Sequence, residues 1–400
     1  MPSHHQWTPT AALHPLLSTT LAALYVSSIL AHPPRHRLSA FILLCAPVGY
    51  AFVHHLALTP WYALNDTFGR MLYIWLAYMS YAFLLVRVRP AVADRSAWSE
   101  RMRCAAKVLY TRHLGEYCTG RREPPHHLTR ARFGLRHLAK AVLFLAVNTA
   151  YDACLIPPAL YPPASFVRRL PSSLSGDELR LRAMMTWDVC VADMLYFETV
   201  YSLFAMLWVC VFRFDDASEW SLSLFGKMAD CSSVRAYWGA YWHDFINASF
   251  TAHIKLVTRR WSGLRKGGGR RLVENGLVFV VSGLMHSLVR CVQTDGNGEI
   301  WTVTLWYGAQ MLPIVVEGVV QHFWLSSTLR RWLHFRLGEA VMMRLERAVG
   351  YAWVFCWMFW SVPKYLLTRH AWERENMHKR FPELFASPRE RVKIDLGGLE

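Results

Sequence analysis

Apolar runs of bilayer length recur along this chain from residue 11 to residue 367, and no soluble block interrupts them. A helix that crosses the hydrocarbon core needs about 20 mostly apolar residues. That ruler marks spans at 11–31, 38–58, 71–86, 138–155, 194–212, 272–292, 300–324 and 348–367, of which 71–86 is short and 138–155 carries Lys140 and Asp152. A further stretch, 237–257, is aromatic yet too polar for lipid, and is expected at the interface or partway in, sheltered by protein. Inside lipid a segment must satisfy its own backbone hydrogen bonds, so these runs fold as helices. The expected fold class is all-α: a polytopic integral membrane protein with about eight or nine transmembrane helices. It is read as a single membrane domain over 1–400, ending in a polar C-terminal tail at 368–400.

Charge orients the spans. Lys and Arg number 44 against 28 acids, a formal net charge of +16 that could suit nucleic acid, but the positive charge sits in the connections between apolar runs. That placement is the positive-inside pattern of membrane topology, so no nucleic-acid partner is inferred. Charged residues make up only 18% of the chain, below the roughly 25% of soluble domains. Residues 87–140 hold thirteen Lys or Arg against four acids, and 255–271 hold seven with no acid, so both segments are expected in the cytosol. The acidic, Gly-rich turn at 293–299 belongs on the opposite side, and the basic cluster 330–347 returns to the cytosol. The same alternation places the N-terminus opposite the cytosol, with Arg35 and Arg37 on the cytosolic side. The opening MPSHHQWTPT lacks the basic region and cleavage site of a signal peptide, so the first run is expected to persist as a span. Nine cysteines are scattered without a Cys-x-x-Cys pair and read as buried free thiols, not as a disulfide framework or a zinc site.

Two stretches carry chemistry. In the span 272–292, Asn275, Phe279, Ser282 and His286 fall at i, i+4, i+7 and i+11, so three polar groups share one helix face that must meet protein or a cavity. Gly276 and Gly283 flank this stripe and would let a neighbouring backbone approach closely. The plain alternative is that Ser282 and His286 only hydrogen-bond to an adjacent helix. The second stretch is 232–250, SSVRAYWGAYWHDFINASF. If it is helical after Gly239, His243 and Asn247 stand one turn apart, with Trp242, Phe245 and Ser249 on a neighbouring face. Its plain alternative is an interfacial belt of Trp and Tyr. Asp152, Glu198 and Glu317 lie inside apolar runs, where ionisable groups serve function or pair internally. For Glu317 a helix-to-helix hydrogen bond is the favoured reading.

The string SVRAYWGAYWH, 233–243, followed after a basic loop by FVVSGLMH, 279–286, resembles the paired signature of the membrane-bound O-acyltransferases. It is most similar to their wax-synthase-like branch, which includes fungal enzymes that acylate terpenoid and meroterpenoid alcohols. The resemblance covers the C-terminal half, with both motif segments inside 214–293. It implies helices enclosing an intramembrane reaction chamber, with His286 as the intramembrane histidine and His243 at the second motif position. Trp238, Trp242, Asn247, Asn275 and Ser282 are the supporting residues. Wax-synthase-like sequences place basic residues between the Gly and the Trp of the first motif, where this chain has Ala240 and Tyr241. The grip on a phosphorylated donor is therefore expected from Arg235, Arg259 and Arg260.

The implied reaction is transfer of an acyl group, acetyl favoured, from acyl-CoA as co-substrate to the hydroxyl of a lipophilic alcohol such as a terpenoid or related secondary metabolite. No permanently bound cofactor and no metal is implied, and membrane lipid, in the endoplasmic reticulum, is the surrounding partner. A histidine with a pKa near 6.5 can take the hydroxyl proton, and burial favours its neutral form. The oxyanion would be met by His243, Asn247 or Asn275. Direct attack by the alcohol needs no enzyme nucleophile, and an acyl-enzyme on Ser282 is the rival mechanism. Two further readings stand beside this one: a long-chain acyl (wax ester or sterol ester) synthase, and a transporter using intramembrane His, Asp and Glu as a proton relay.

Overall fold

The computed structural model describes residues 7–88, 97–111, 126–155, 175–243, 246–261, 263, 267–296 and 300–376. Most of the tail expected at 368–400, and much of the connections 87–136 and 157–182, lie outside the described residues. Among those described the regular structure is helical, without strands. In chain order the main helices are α1 (Pro9–Ala31), α2 (Arg37–Val53), α3 (Tyr62–Val86), α4 (Trp98–Val108) and α5 (Arg130–Leu155). Then follow α6 (Gly176–Val211), α7 (Asn247–Leu256, running on through Val257–Trp261) and α8 (Gly268–Gln293). The last are α9 (Ile300–Ala309), α10 (Met311–Ser326), α11 (Thr328–Leu337) and α12 (Glu339–Asn376).

Each expected span falls on one of these helices, although α2 stops at Val53. Five helical stretches among the described residues are long and apolar enough to cross a membrane: α1, α3, α6, α8 and the pair α9–α10. The run expected at 71–86 is part of a 25-residue helix, because the polar start of α3 with Asn65 and Asp66 is helical as well. The run 300–324 is interrupted at Gln310. Pro313 has no N–H to give the carbonyl of Ala309, so the helix restarts one residue on.

The chain divides into two compact units. The first comprises Met1–Arg122, Phe245–Gly308 and Glu373–Phe385. Its core joins Ala22, Val26 and Leu30 of α1 to Ala40, Leu44 and Val48 of α2 and to Leu72, Met79 and Phe83 of α3. α1 opens on an N-cap in which Thr8 Oγ1 accepts from Ala11 N at 3.2 Å. It then buries small residues (Ala12, Ser18, Ala22) while Leu17, Leu21 and Leu24 stay exposed at 59%, 62% and 58%. A helix that packs through its small side chains and presents leucines outward is built for lipid. The second unit comprises Glu123–Asp244, Ala309–Trp372 and Ala386–Glu400. There α5 lies against α6, burying Phe133, Ala141 and Tyr151 with Tyr201, Ala205 and Val209.

Candidate functional site

His286 belongs to the first unit. It sits half-buried on α8, and its ring stacks on Tyr307 of α9 with centroids 4.7 Å apart and planes 13° from parallel. α8 and α9 come this close because of Gly283, where a Cβ would fall 2.7 Å from Thr304 Cα and 3.1 Å from Tyr307 Cβ. One turn along, Ser287 hydrogen-bonds to Thr304 Oγ1 and donates to Ile300 O. The polar stripe is present, and burial deepens along it from exposed Asn275 through half-buried Phe279 to Ser282, 5% exposed. α8 is tied at both ends. Near its start, Glu274 accepts Thr258 Oγ1 at 3.1 Å and a forked contact from Arg259, Nε at 2.8 Å and Nη2 at 3.1 Å. At its end, Gln293 accepts from Tyr62 Oη at 2.8 Å and donates to Asp66 Oδ1 at 2.7 Å, and Asp66 also pairs with Arg70.

The other motif segment belongs to the second unit. A short helical turn, Val234–Ala236, capped by Ser233 Oγ accepting from Ala236 N at 2.9 Å, widens into a π-helical turn, Tyr237–Tyr241. The helix expected to run on after Gly239 does not. Trp242 N–H closes the wide turn onto Tyr237 O at 2.8 Å and its backbone turns extended (φ −64°, ψ 150°); helix resumes only at Asn247. His243 and Asn247 are therefore not successive turns of one helix, and Asn247 is exposed, its amide oxygen accepting from Thr251 Oγ1 at 3.1 Å. Phe245, placed with them on sequence, lies outside the described residues. His243 is half-buried against the rings of Trp242, Phe225 and Phe197, with centroids 5.5, 5.6 and 5.9 Å away.

Two intramembrane acids account for the shape of this segment. Glu198 of α6 pairs with Lys140 of α5 at 2.6 Å and accepts the backbone N–H groups of Leu224 and Phe225 at 2.8 and 2.9 Å, as well as the Ser223 hydroxyl. Lys140 also donates to Leu222 O at 2.7 Å. The loop so held delivers Phe225 to His243, and Gly226 N–H to Tyr241 O at 2.8 Å. Glu317 of α10 accepts the N–H groups of Val234 and Arg235 and the indole N–H of Trp353. The positive end of the helical turn is thus filled by a resident carboxylate.

The three arginines expected to hold a phosphorylated donor differ. Arg259 is committed to Glu274, which holds its guanidinium pKa above the ordinary value through that hydrogen bond, and Arg235 directs Nη2 toward Ile314 O at 3.5 Å. Arg260 is exposed. Trp238 donates to Gln310 Oε1 at 3.2 Å, and Trp242 stacks on Tyr237 at 5.6 Å. Cys231 precedes the motif, and burial pushes its thiol up to about 12, so it is not a thiolate at neutral pH. Among the described residues no group of three or more His, Cys, Asp or Glu could hold a metal ion. Tyr307, Glu274 and Gln310 were not singled out on sequence. Gln310 had a signal: it is a polar residue inside an apolar run, seven positions before Glu317 and hence on the same helical face.

Residues 220–307 match the model of the membrane bound O-acyl transferase family, a window that runs from just before the Glu198-held loop to the tyrosine stacked on His286. The chain is similar to that family over this window. It is 31% identical to acetyltransferase aurG of Calcarisporium arbuscula over 55% of this chain and 50% of that protein. It is 26% identical to acetyltransferase nanB of Aspergillus nanangensis over 46% and 42%, and 24% identical to acetyltransferase fsoF of Humicola fuscoatra over 61% and 60%. The chain thus spans about half the length of the curated relatives it matches. No solved structure matches it significantly.

Proposed function

We propose that this protein transfers an acetyl group from acetyl-CoA to the hydroxyl of a lipophilic alcohol, a terpenoid or related secondary metabolite, within the membrane of the endoplasmic reticulum. The observation that carries the reading is a half-buried histidine on a membrane-length helix, stacked on a tyrosine, inside the segment that matches an O-acyl transferase family. The names of the relatives favour acetyl over a longer chain. The alcohol oxygen attacks the thioester carbonyl carbon while a ring nitrogen of His286 takes the hydroxyl proton. The tetrahedral intermediate collapses, the carbon–sulfur bond breaks, and the imidazolium returns the proton to the departing thiolate. Asn247 and Asn275, in the same unit as His286, are candidate donors toward the oxyanion, and Ser282 shapes the surroundings of the histidine; His243, Trp238 and Trp242 keep the roles that the motif resemblance implies for them.

Of the basic residues, Arg260 is the best candidate for the phosphates of the donor, because Arg259 and Arg235 already have partners. Arg260→Gln should raise KM for the acyl donor about 3-fold to 10-fold, the loss of one charge-assisted contact, and leave KM for the alcohol unchanged. Equal shifts in both constants would remove Arg260 from the donor site. The reading as a whole is tested by thiol release from acetyl-CoA and longer acyl-CoAs by the purified full chain, with a panel of alcohols. Turnover confined to long-chain donors would point to a wax ester or sterol ester synthase. No turnover with any pair would leave the transporter reading in its place.

A further inference from the structure

Glu317 and Gln310 lie seven residues apart, two helical turns, and both accept hydrogen bonds from the same two elements. Glu317 takes Val234 N–H and Arg235 N–H (3.1 Å) from the motif segment and Trp353 Nε1–H (2.9 Å) from α12. Gln310 Oε1 takes Trp238 Nε1–H (3.2 Å) from the motif segment and Trp357 Nε1–H (2.9 Å) from α12. The two tryptophans of α12 are one turn apart, matching the four-residue step from Val234 to Trp238. Both acceptors are buried, Gln310 fully and Glu317 at 7% exposure. A third contact closes the arrangement: Gly350 of α12 lies so near Ser232 that a Cβ would fall 2.0 Å from its carbonyl oxygen.

The π-helical turn of the motif segment has a wider, less stable pitch than an α-helix, and such turns persist where neighbours hold them. The first two N–H groups of the helical turn that leads into it, those of Val234 and Arg235, have no partner within that turn, and burial without one would be costly. We propose that Glu317 and Gln310 are positioning residues for acyl transfer: a two-rung ladder of acceptors that sets the register of 233–241, and through it the placement of Arg235, Trp238 and His243. Neither needs to touch substrate. The inference rests on the acyl-transfer reading above, and goes beyond it by assigning the working geometry of the first motif to two residues outside that motif.

The test uses the purified full chain in detergent, with hydrogen–deuterium exchange read alongside kinetics. Glu317→Gln keeps one acceptor oxygen but turns an amide NH2 toward a backbone N–H. Gln310→Met keeps the volume and removes the acceptor for both indoles, and serves if the first variant fails to fold. In either variant, peptides covering 233–241 should exchange about 10-fold or more faster, while peptides from the core of α1 to α3 keep their protection. In the same preparations kcat should fall about 10-fold or more, with KM for acetyl-CoA and for the alcohol changed less than about 3-fold. Unchanged exchange across 233–241 in both variants would overturn the proposal. So would faster exchange with kcat preserved, or faster exchange everywhere at once, which would mark a general loss of fold. A wild-type protein without thiol release would instead sink the acyl-transfer reading, and the exchange data would still decide whether the ladder holds the segment.

Discussion

The helix that carries His286 and the segment that carries His243 are held by different physics. α8 is a regular helix whose backbone satisfies itself, so its environment has only to fix its position. A forked Arg259–Glu274 contact does this near one end, the Tyr62–Gln293–Asp66 set at the other, and a glycine approach to α9 in between. The segment 220–243 is a loop, a capped turn, a π-helical turn and an extended residue, and four of its N–H groups take side-chain acceptors from elsewhere in the chain. Glu198 and Glu317 provide them, each serving two backbone N–H groups. Within a membrane protein, irregular backbone survives only where protein satisfies it. Glu198 and Glu317, two of the acids that stand out in the apolar runs, thus have partners that account for the shape of a neighbouring segment.

The comparison predicts that chemistry and architecture can be separated by mutation, most sharply at His286. His286→Ala removes a ring that α8 does not need for its own helical bonds. The protein should remain monodisperse in detergent while turnover drops about 100-fold to 10,000-fold, the usual worth of a general base. A folded His286→Ala protein with more than about a tenth of wild-type turnover would be incompatible with a loss of that size, and would reduce the histidine to a packing partner of Tyr307.

Glu198→Ala should behave in the opposite way. It leaves Lys140, whose side chain is 17% exposed, with a carbonyl contact but no carboxylate, and strands the N–H groups of Leu224 and Phe225. Breaking a buried pair from one side costs about 3–5 kcal/mol. The expected result is a large fall in the midpoint of thermal unfolding, with activity lost in step with the folded fraction. Normal stability with selectively lost turnover would show that Glu198 acts in the reaction, and would erase the contrast between the two regions.

A pair of glycine substitutions sharpens the comparison at a smaller scale. At Gly226 a Cβ would fall 2.0 Å from Ala240 O, and at Gly283 2.7 Å from Thr304 Cα. Overpacking of this kind costs about 1–3 kcal/mol. Gly226→Ala presses on a wide turn braced from several sides and should be the more destabilising in a thermal melt. Gly283→Ala can be relieved by a small shift of α9, but that shift moves Tyr307 off His286, so it should lower kcat more than it lowers stability. The reverse ranking in both measurements would mean that the α8–α9 contact, not the motif segment, is the rigid one.

How much of this was legible in the sequence follows the same divide. Helices that satisfy themselves announce themselves by apolar length and periodicity, which is why the runs at 11–31 and 272–292 correspond closely to α1 and α8, and why the Asn275–Ser282–His286 face was readable. The break at Trp242 was not, because the residues around it are as compatible with helix as with a turn, and its cause lies in acceptors distant along the chain. Arg259 read as a donor-binding residue because it stands in a basic stretch beside the first motif, while its carboxylate partner, Glu274, lies 15 residues further along the chain. Glu317 read correctly as a hydrogen-bonding group, but two of its partners, backbone N–H groups 83 and 82 residues away, carry no side-chain signal at all.

The smallest effect lies outside both regions, on the basic side of the second unit. Arg330 Nε donates to Glu346 Oε1 at 2.8 Å, as does Trp324 Nε1 at 2.8 Å. The Arg330 hydrogen bond is the main cause holding the Glu346 carboxyl below its ordinary pKa, with Trp324, Arg330's charge and His334 acting in the same direction. A carboxylate whose folded pKa is depressed contributes stability that is fully present above its unfolded pKa of roughly 4.3 and is lost as pH falls through the lower, folded value. The side chains of Arg330 and Glu346 are 27% and 31% exposed, so solvent screens the pair, and its worth is expected at or below about 1 kcal/mol. Glu346→Gln should therefore lower the thermal midpoint by only a degree or two at pH 7, and the gap to wild type should close as the buffer is taken below about pH 4. Because the pair braces α11 against α12 and touches neither the His286 helix nor the Glu198-held loop, kcat should not change. If Glu346→Gln matched Glu198→Ala in its cost, carboxylates on ordinary helical backbone would be as structurally demanding as those that serve irregular backbone, and the division drawn between the two regions would fail.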